Sequence, residues 1–160
     1  MDIFEYAIQM EKDGEAYYRQ LAQQAANKGL KNIFTMLAEE EVKHRRAVET
    51  MQTEVPHITE TTILSNAENI FVQIKEPGES FDFNIRQTEL YKKAQSIEKK
   101  SRDFYLEKAD QVTEKYQKEL FLKLAEEEKK HYFLLDNIIE FVSRPEHWLE
   151  NAEFYHLEEY

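Results

Sequence analysis

A chain of 160 residues has the length of one domain and can bury roughly 70% of its unfolded surface around a single core. Gly and Pro number three each, where the two together usually supply roughly 12% of a sequence, so turn-rich sandwiches and barrels are excluded. A net charge of −11 repels phosphate and removes nucleic acid and anionic membrane as partners, and the lack of Cys leaves only Glu, Asp and His to hold a metal.

The N-terminus, Met1-Asp2-Ile3-Phe4-Glu5, lacks the basic region of a signal peptide, and no apolar run approaches the roughly 18 residues of a membrane span. Both point to a soluble, cytoplasmic protein. Apolar residues then recur at spacings of three and four, the mark of amphipathic helices. A first helix is predicted over 2–26, closed by Asn27-Lys28-Gly29 read as a C-cap and turn. A second runs over 30–52 and stops at Pro56. The stretch to residue 83 is a long connection, with a short helix capped by Ser65 and running through Phe71 and Ile74, then a break at Pro77-Gly78. A third helix is predicted over 84–112 and a fourth over 115–143, ended by Arg144-Pro145. The tail, 144–160, carries Trp148, Leu149, Phe154, Tyr155 and Leu157 and offers an apolar face to the bundle or to a second subunit. The whole of 1–160 reads as one domain.

Shifting the chain by 87 residues aligns 7–49 with 94–136. Glu11 falls on Glu98, Tyr18 on Tyr105, Leu37-Ala38-Glu39-Glu40-Glu41 on Leu124-Ala125-Glu126-Glu127-Glu128, and His44 on His131. The chain is therefore a helical hairpin written twice, and it is this repeat that places the third turn near Thr113. Two hairpins joined by one long crossover describe an all-α, ferritin-like four-helix bundle.

Each helix carries a core stripe of alternating three and four spacing. The stripes are Phe4, Ala7, Glu11, Gly14, Tyr18, Leu21, Ala25; then Leu37, Glu41, His44, Val48, Met51; then Tyr91, Ala94, Glu98, Ser101, Tyr105, Lys108; then Leu124, Glu128, His131, Leu135, Ile138, Val142. Every stripe is interrupted by a carboxylate, and two by a Glu-x-x-His pair whose members share a helix face. A buried carboxylate costs several kcal/mol unless paired or metal-bound. Four Glu and two neutral His balance two divalent ions in charge, and this oxygen and nitrogen donor set suits iron, with manganese as the alternative. Glu39, Glu40, Glu126 and Glu127 are read as lateral or outward, Glu40 being the substitute for Glu41 because it lies four residues before His44. Tyr18 and Tyr105 lie two turns beyond Glu11 and Glu98, where a buried phenol needs a partner and a ligand carboxylate offers one. Gly14 and Ser101 read either as close helix packing or as space for peroxide or O₂. His57, His147 and His156 read as surface residues.

Glu11-x₆-Tyr18, Glu41-x-x-His44, Glu98-x₆-Tyr105 and Glu128-x-x-His131 resemble the rubrerythrin group of the ferritin-like superfamily over about residues 2–143. The resemblance implies that Glu41 and Glu128 bridge two irons, that Glu11 and Glu98 are terminal ligands, and that His44 and His131 cap one iron each. It also implies reduction of hydrogen peroxide, with Fe(II) oxidation as the activity of ferritin relatives. Two departures stand out. Rubrerythrins usually carry a four-Cys rubredoxin-like domain, absent from a chain without Cys, so electrons would come from a separate rubredoxin-like donor. They also carry a further carboxylate one turn after the third-helix Glu, where this chain has Ser101; Glu15 is the one candidate to replace it.

The expectation is a non-haem di-iron oxidoreductase of the peroxidase type acting in oxidative stress, as a homodimer, with hydrogen peroxide or O₂ as the small-molecule partner. The alternatives are a ferroxidase or iron-handling protein and a metal-stabilised bundle without turnover.

Overall fold

Asp2 starts the first helix because its carboxylate accepts the backbone N–H of Glu5 at 2.8 Å, a donor that no helical carbonyl reaches. In the computed structural model, which describes residues 2–25, 27–53, 60–74 and 86–143, this helix, α1, spans Ile3–Gln24. Two signals act differently from expectation. Asn27 does not close α1. Its side chain accepts the Leu30 N–H at 3.1 Å and so caps the start of α2, Lys28–Met51, with Gly29 inside the first turn. Ser65 likewise lies within α3, Ile63–Ile74, and the Thr61 hydroxyl accepts the Ile63 N–H at 3.2 Å instead. In both cases the helix begins earlier in the chain than the sequence pattern suggests.

α4 spans Arg86–Ala109 and α5 spans Lys115–Ser143, leaving the third turn at 110–114, where the repeat predicts it. At the end of α4 the buried face passes from Tyr105 to Ala109, and Lys108 stays partly exposed with its ammonium 5.9 Å from the Phe104 ring. Pro56, His57, Pro77-Gly78, Arg144-Pro145 and the tail with His147 and His156 lie outside the described residues, as do 84 and 85 of the expected third helix.

α1 pairs with α2 and α4 with α5, and the two hairpins meet through α1 with α4 and α2 with α5. α3 rests against both α2 and α5. The described residues form a helical bundle of the ferritin-like kind, without strands. None of its helices is long and apolar enough to cross a membrane.

The core is divided into two apolar layers. One contains Leu30, Phe34, Leu37, Phe71, Tyr91, Leu135 and Phe141, with Tyr18 at its edge. The other contains Ala7, Val48, Met51, Phe121 and Leu124, with Tyr105 at its edge. A fully buried Leu or Phe contributes roughly 1.5–3 kcal/mol, so these two layers supply the stability that the polar layer between them consumes.

Candidate metal centre

The polar layer holds the carboxylates and imidazoles that interrupt the core stripes. Glu11, Glu98 and Glu128 are 1% exposed, Glu41 is 4% exposed, and His44 and His131 are fully buried. Their donor atoms form two groups, each gathered within 4.8 Å: Glu11, Glu41, His44 and Glu128, and Glu41, Glu98, Glu128 and His131. Glu41 and Glu128 belong to both. Each group therefore draws one carboxylate and one imidazole for itself and shares the other two, so two ions, if held, would have Glu41 and Glu128 in common.

The two imidazole rings are nearly parallel, with centroids 5.6 Å apart, and both turn Nδ1 toward the carboxylates. His44 Nδ1 lies 3.0 Å from Glu128 Oε1 and 3.6 Å from Glu11 Oε2. His131 Nδ1 lies 3.5 Å from Glu98 Oε1 and 3.7 Å from Glu41 Oε1.

Repulsion among these groups shows in their proton affinities. Burial, reinforced by the charges of Glu11, Glu128 and Glu98, pushes Glu41 well above the usual carboxylate range, and burial with the charges of Glu98 and Glu11 does the same to Glu128. Burial also opposes ionisation of Glu98, but hydrogen bonding from Glu128 and Tyr18 and the proximity of His131 outweigh it and hold Glu98 down at about 2. Glu11 is lowered in the same way through Glu41, His44 and Tyr105. For His44, burial disfavours the cation, yet Glu11, Glu127 and Glu41 together raise its affinity for a proton well above normal. Without metal, the raised proton affinities of Glu41, Glu128 and His44 act against the same repulsion that cations would relieve.

Glu11 Oε2, Glu98 Oε2, Glu128 Oε2 and both nitrogens of His131 are buried without a hydrogen-bond partner. Such orphaned polar atoms are costly inside a protein. Two divalent cations would satisfy the three carboxylate oxygens and the lone-pair nitrogen of His131 together, so the residues present fit a metal pair.

Both tyrosines contact a cluster carboxylate, but each crosses to the opposite hairpin. The Tyr105 hydroxyl donates to Glu11 Oε1 at 2.5 Å, and the Tyr18 hydroxyl donates to Glu98 Oε1. Burial and these carboxylates push both phenols well above their ordinary range, so they remain donors. Gly14 fits the close-packing reading and not the open channel. A Cβ there would lie 3.0 Å from Glu41 Oε2 and 3.2 Å from Glu41 Cδ, so the space is where the Glu41 carboxylate sits. Glu15 does not turn to the cluster, being held by Arg19 at 2.8 Å and Arg45 at 3.2 Å.

The sequence profile of the rubrerythrin family matches residues 2–139. The chain belongs to the rubrerythrin family. A solved structure, a hypothetical protein from Pyrococcus furiosus, superposes with a TM-score of 0.67 at 23% identity, with 89% of each chain covered; at that identity the likeness concerns the fold. No curated protein matches this rubrerythrin significantly.

The expectation for Glu127 is overturned. Glu127 is not lateral or outward but 2% exposed, and its Oε1 lies 2.7 Å from His44 Nε2. A second stripe on α5 carries the signal for it: Leu120, Leu124, Glu127, His131, Leu134, Ile138 and Phe141 are also spaced by three and four, and all are buried. Glu39, by contrast, is exposed, and Glu40 is partly buried, hydrogen-bonded by Thr61.

Proposed function

We propose that this protein holds two iron ions, with Glu41 and Glu128 serving both, Glu11 and His44 completing one position, and Glu98 and His131 the other. It reduces hydrogen peroxide with electrons from a separate donor protein and works as a homodimer. The observation that carries the reading is the pair of four-residue groups sharing Glu41 and Glu128. An iron pair held there would, when reduced, supply the two electrons that convert hydrogen peroxide and two protons into two waters, and the donor protein would return them.

The protein's part is orientation and exclusion. Tyr18 and Tyr105 hold one oxygen of Glu98 and of Glu11, leaving the other oxygen for metal. The two apolar layers close the centre above and below, which strengthens every electrostatic contact within it. Gly14 leaves room for Glu41 to reach both positions.

The test begins with iron-loaded protein, reduced anaerobically and mixed with one equivalent of peroxide. Oxidation of both irons much faster than free Fe(II), with two irons per chain on a dimer by light scattering, is expected. Hundreds of irons per particle on a large shell would replace this reading with iron storage. Oxidation no faster than free Fe(II) would leave a metal-stabilised bundle without turnover.

A further inference from the structure

The repeat places Glu127 and Glu40 at equivalent positions, each four residues before the histidine of its own helix. A symmetric bundle would have Glu127 serve His44 across the helix interface and Glu40 serve His131. Only the first contact exists. His44 Nε2 meets Glu127 Oε1 at 2.7 Å, both groups buried, while His131 Nε2 has no hydrogen-bond partner.

The cause is the connection between the hairpins, which passes one side of the bundle. Thr61 donates its hydroxyl to Glu40 Oε1, and Glu60 receives Lys130 at 3.2 Å. The equivalent of Lys130, Lys43, instead lies 3.7 Å from both Glu40 Oε2 and Glu127 Oε1. Residues 60 and 61 thus draw one Glu and one Lys away from the pattern that the repeat alone would set.

A histidine that binds metal through Nδ1 must keep its proton on Nε2, and an acceptor on that proton fixes the tautomer and ring and makes the ligand more basic. From the one-sided contact we infer that Glu127 is a positioning residue for His44, and that it makes the two metal positions inequivalent, the Glu11–His44 position binding first and more tightly. The inference rests on the two-metal reading above and not on peroxidase activity. Loss of such a contact weakens a metal site by about 10- to 100-fold.

The same atoms admit a rival, because Glu40, His44 and Glu127 also gather within 4.8 Å and could hold a third ion. The Lys43 ammonium already places a cation between the two carboxylates, which argues against one.

Anaerobic titration of the metal-free protein with Co(II), followed by its d–d absorption and by calorimetry, decides. Two steps of unequal affinity are expected. In Glu127→Ala the tighter step weakens by about 10- to 100-fold and the two steps draw together; Glu127→Gln, which keeps a neutral acceptor, restores part of the gap; Glu40→Ala leaves the gap as it was. A general loss of packing would weaken both steps alike, so the gap separates positioning from structural damage. Mössbauer spectra of the diferrous protein provide a second readout, with two distinct doublets becoming more alike in Glu127→Ala. Equal affinities in the unaltered protein, or an unchanged gap in Glu127→Ala, would overturn the inference and leave the metal pair standing. Three ions per chain, falling to two in Glu127→Ala, would overturn it in favour of the third site. No binding at all would remove both this inference and the reading beneath it.

Discussion

The α1–α2 and α4–α5 hairpins carry the same chemistry at the same spacing, yet they surround it differently. Both provide a lone stripe Glu, a Glu-x-x-His and a Tyr reaching across to the other hairpin. They differ in two places, one within the repeat and one where it meets the connection between the copies. Position 14 is Gly and makes room for Glu41, where 101 is Ser; Glu127 is buried on His44, where Glu40 is drawn to Thr61. The lesson is that a duplicated motif secures an approximately symmetric set of ligands, while the connection between the copies determines the surroundings of each.

The largest expected effect probes what the hairpins share. Glu128→Ala or Glu41→Ala should abolish binding of the metal pair, because each residue belongs to both groups, whereas Glu11→Ala or Glu98→Ala should leave one ion bound. Metal analysis after dialysis reads this directly, and a full pair in Glu128→Ala would contradict the ligand assignment.

A second prediction concerns protons. Glu41, Glu128 and His44 hold protons more tightly in the folded protein than at their ordinary values of 4.5, 4.5 and 6.5. The unfolded chain therefore binds fewer protons above those values, and metal-free stability falls as pH rises through the raised folded values. The lowered Glu11 and Glu98 act in the opposite sense, but only in acid, where stability is lost as pH falls below about 4.5. Melting between pH 6 and 9 should show the metal-free protein losing on the order of 5 °C, with the loaded protein nearly flat because ions have replaced the protons. A metal-free melting point that rises over this interval would contradict the assigned protonation.

The hairpins can next be separated at matched positions. Gly14→Ala gains up to about 1 kcal/mol of helix propensity, yet its Cβ presses on the Glu41 carboxylate, so metal affinity should drop about tenfold while stability holds. Ser101→Ala should change affinity far less. Equal losses in paired calorimetric titrations would mean that the close approach at Gly14 is unimportant.

The smallest effect is assigned to the crossing tyrosines. Tyr18→Phe removes one hydrogen bond to Glu98 and should cost about 1–2 kcal/mol of stability in denaturant unfolding, leaving both ions bound and altering their rate of oxidation. Tyr105→Phe should do the same through Glu11, so that a large difference between the two variants would reveal a further asymmetry.

Much of this protein is legible in its sequence for a physical reason. A buried carboxylate or imidazole in an otherwise apolar stripe is expensive, so its spacing survives only where something compensates, and the stripes alone select Glu11, Glu41, His44, Glu98, Glu128 and His131. The repeat likewise places the α4–α5 turn without any Gly or Pro to mark it. Glu40 and Glu127 mark the boundary of that reasoning. They share a motif, a distance from a histidine and a second helical stripe, and nothing local tells them apart. Only the folded chain does so, because Thr61 lies against α2 and supplies Glu40 with a partner of its own, leaving Glu127 to meet a histidine of the cluster.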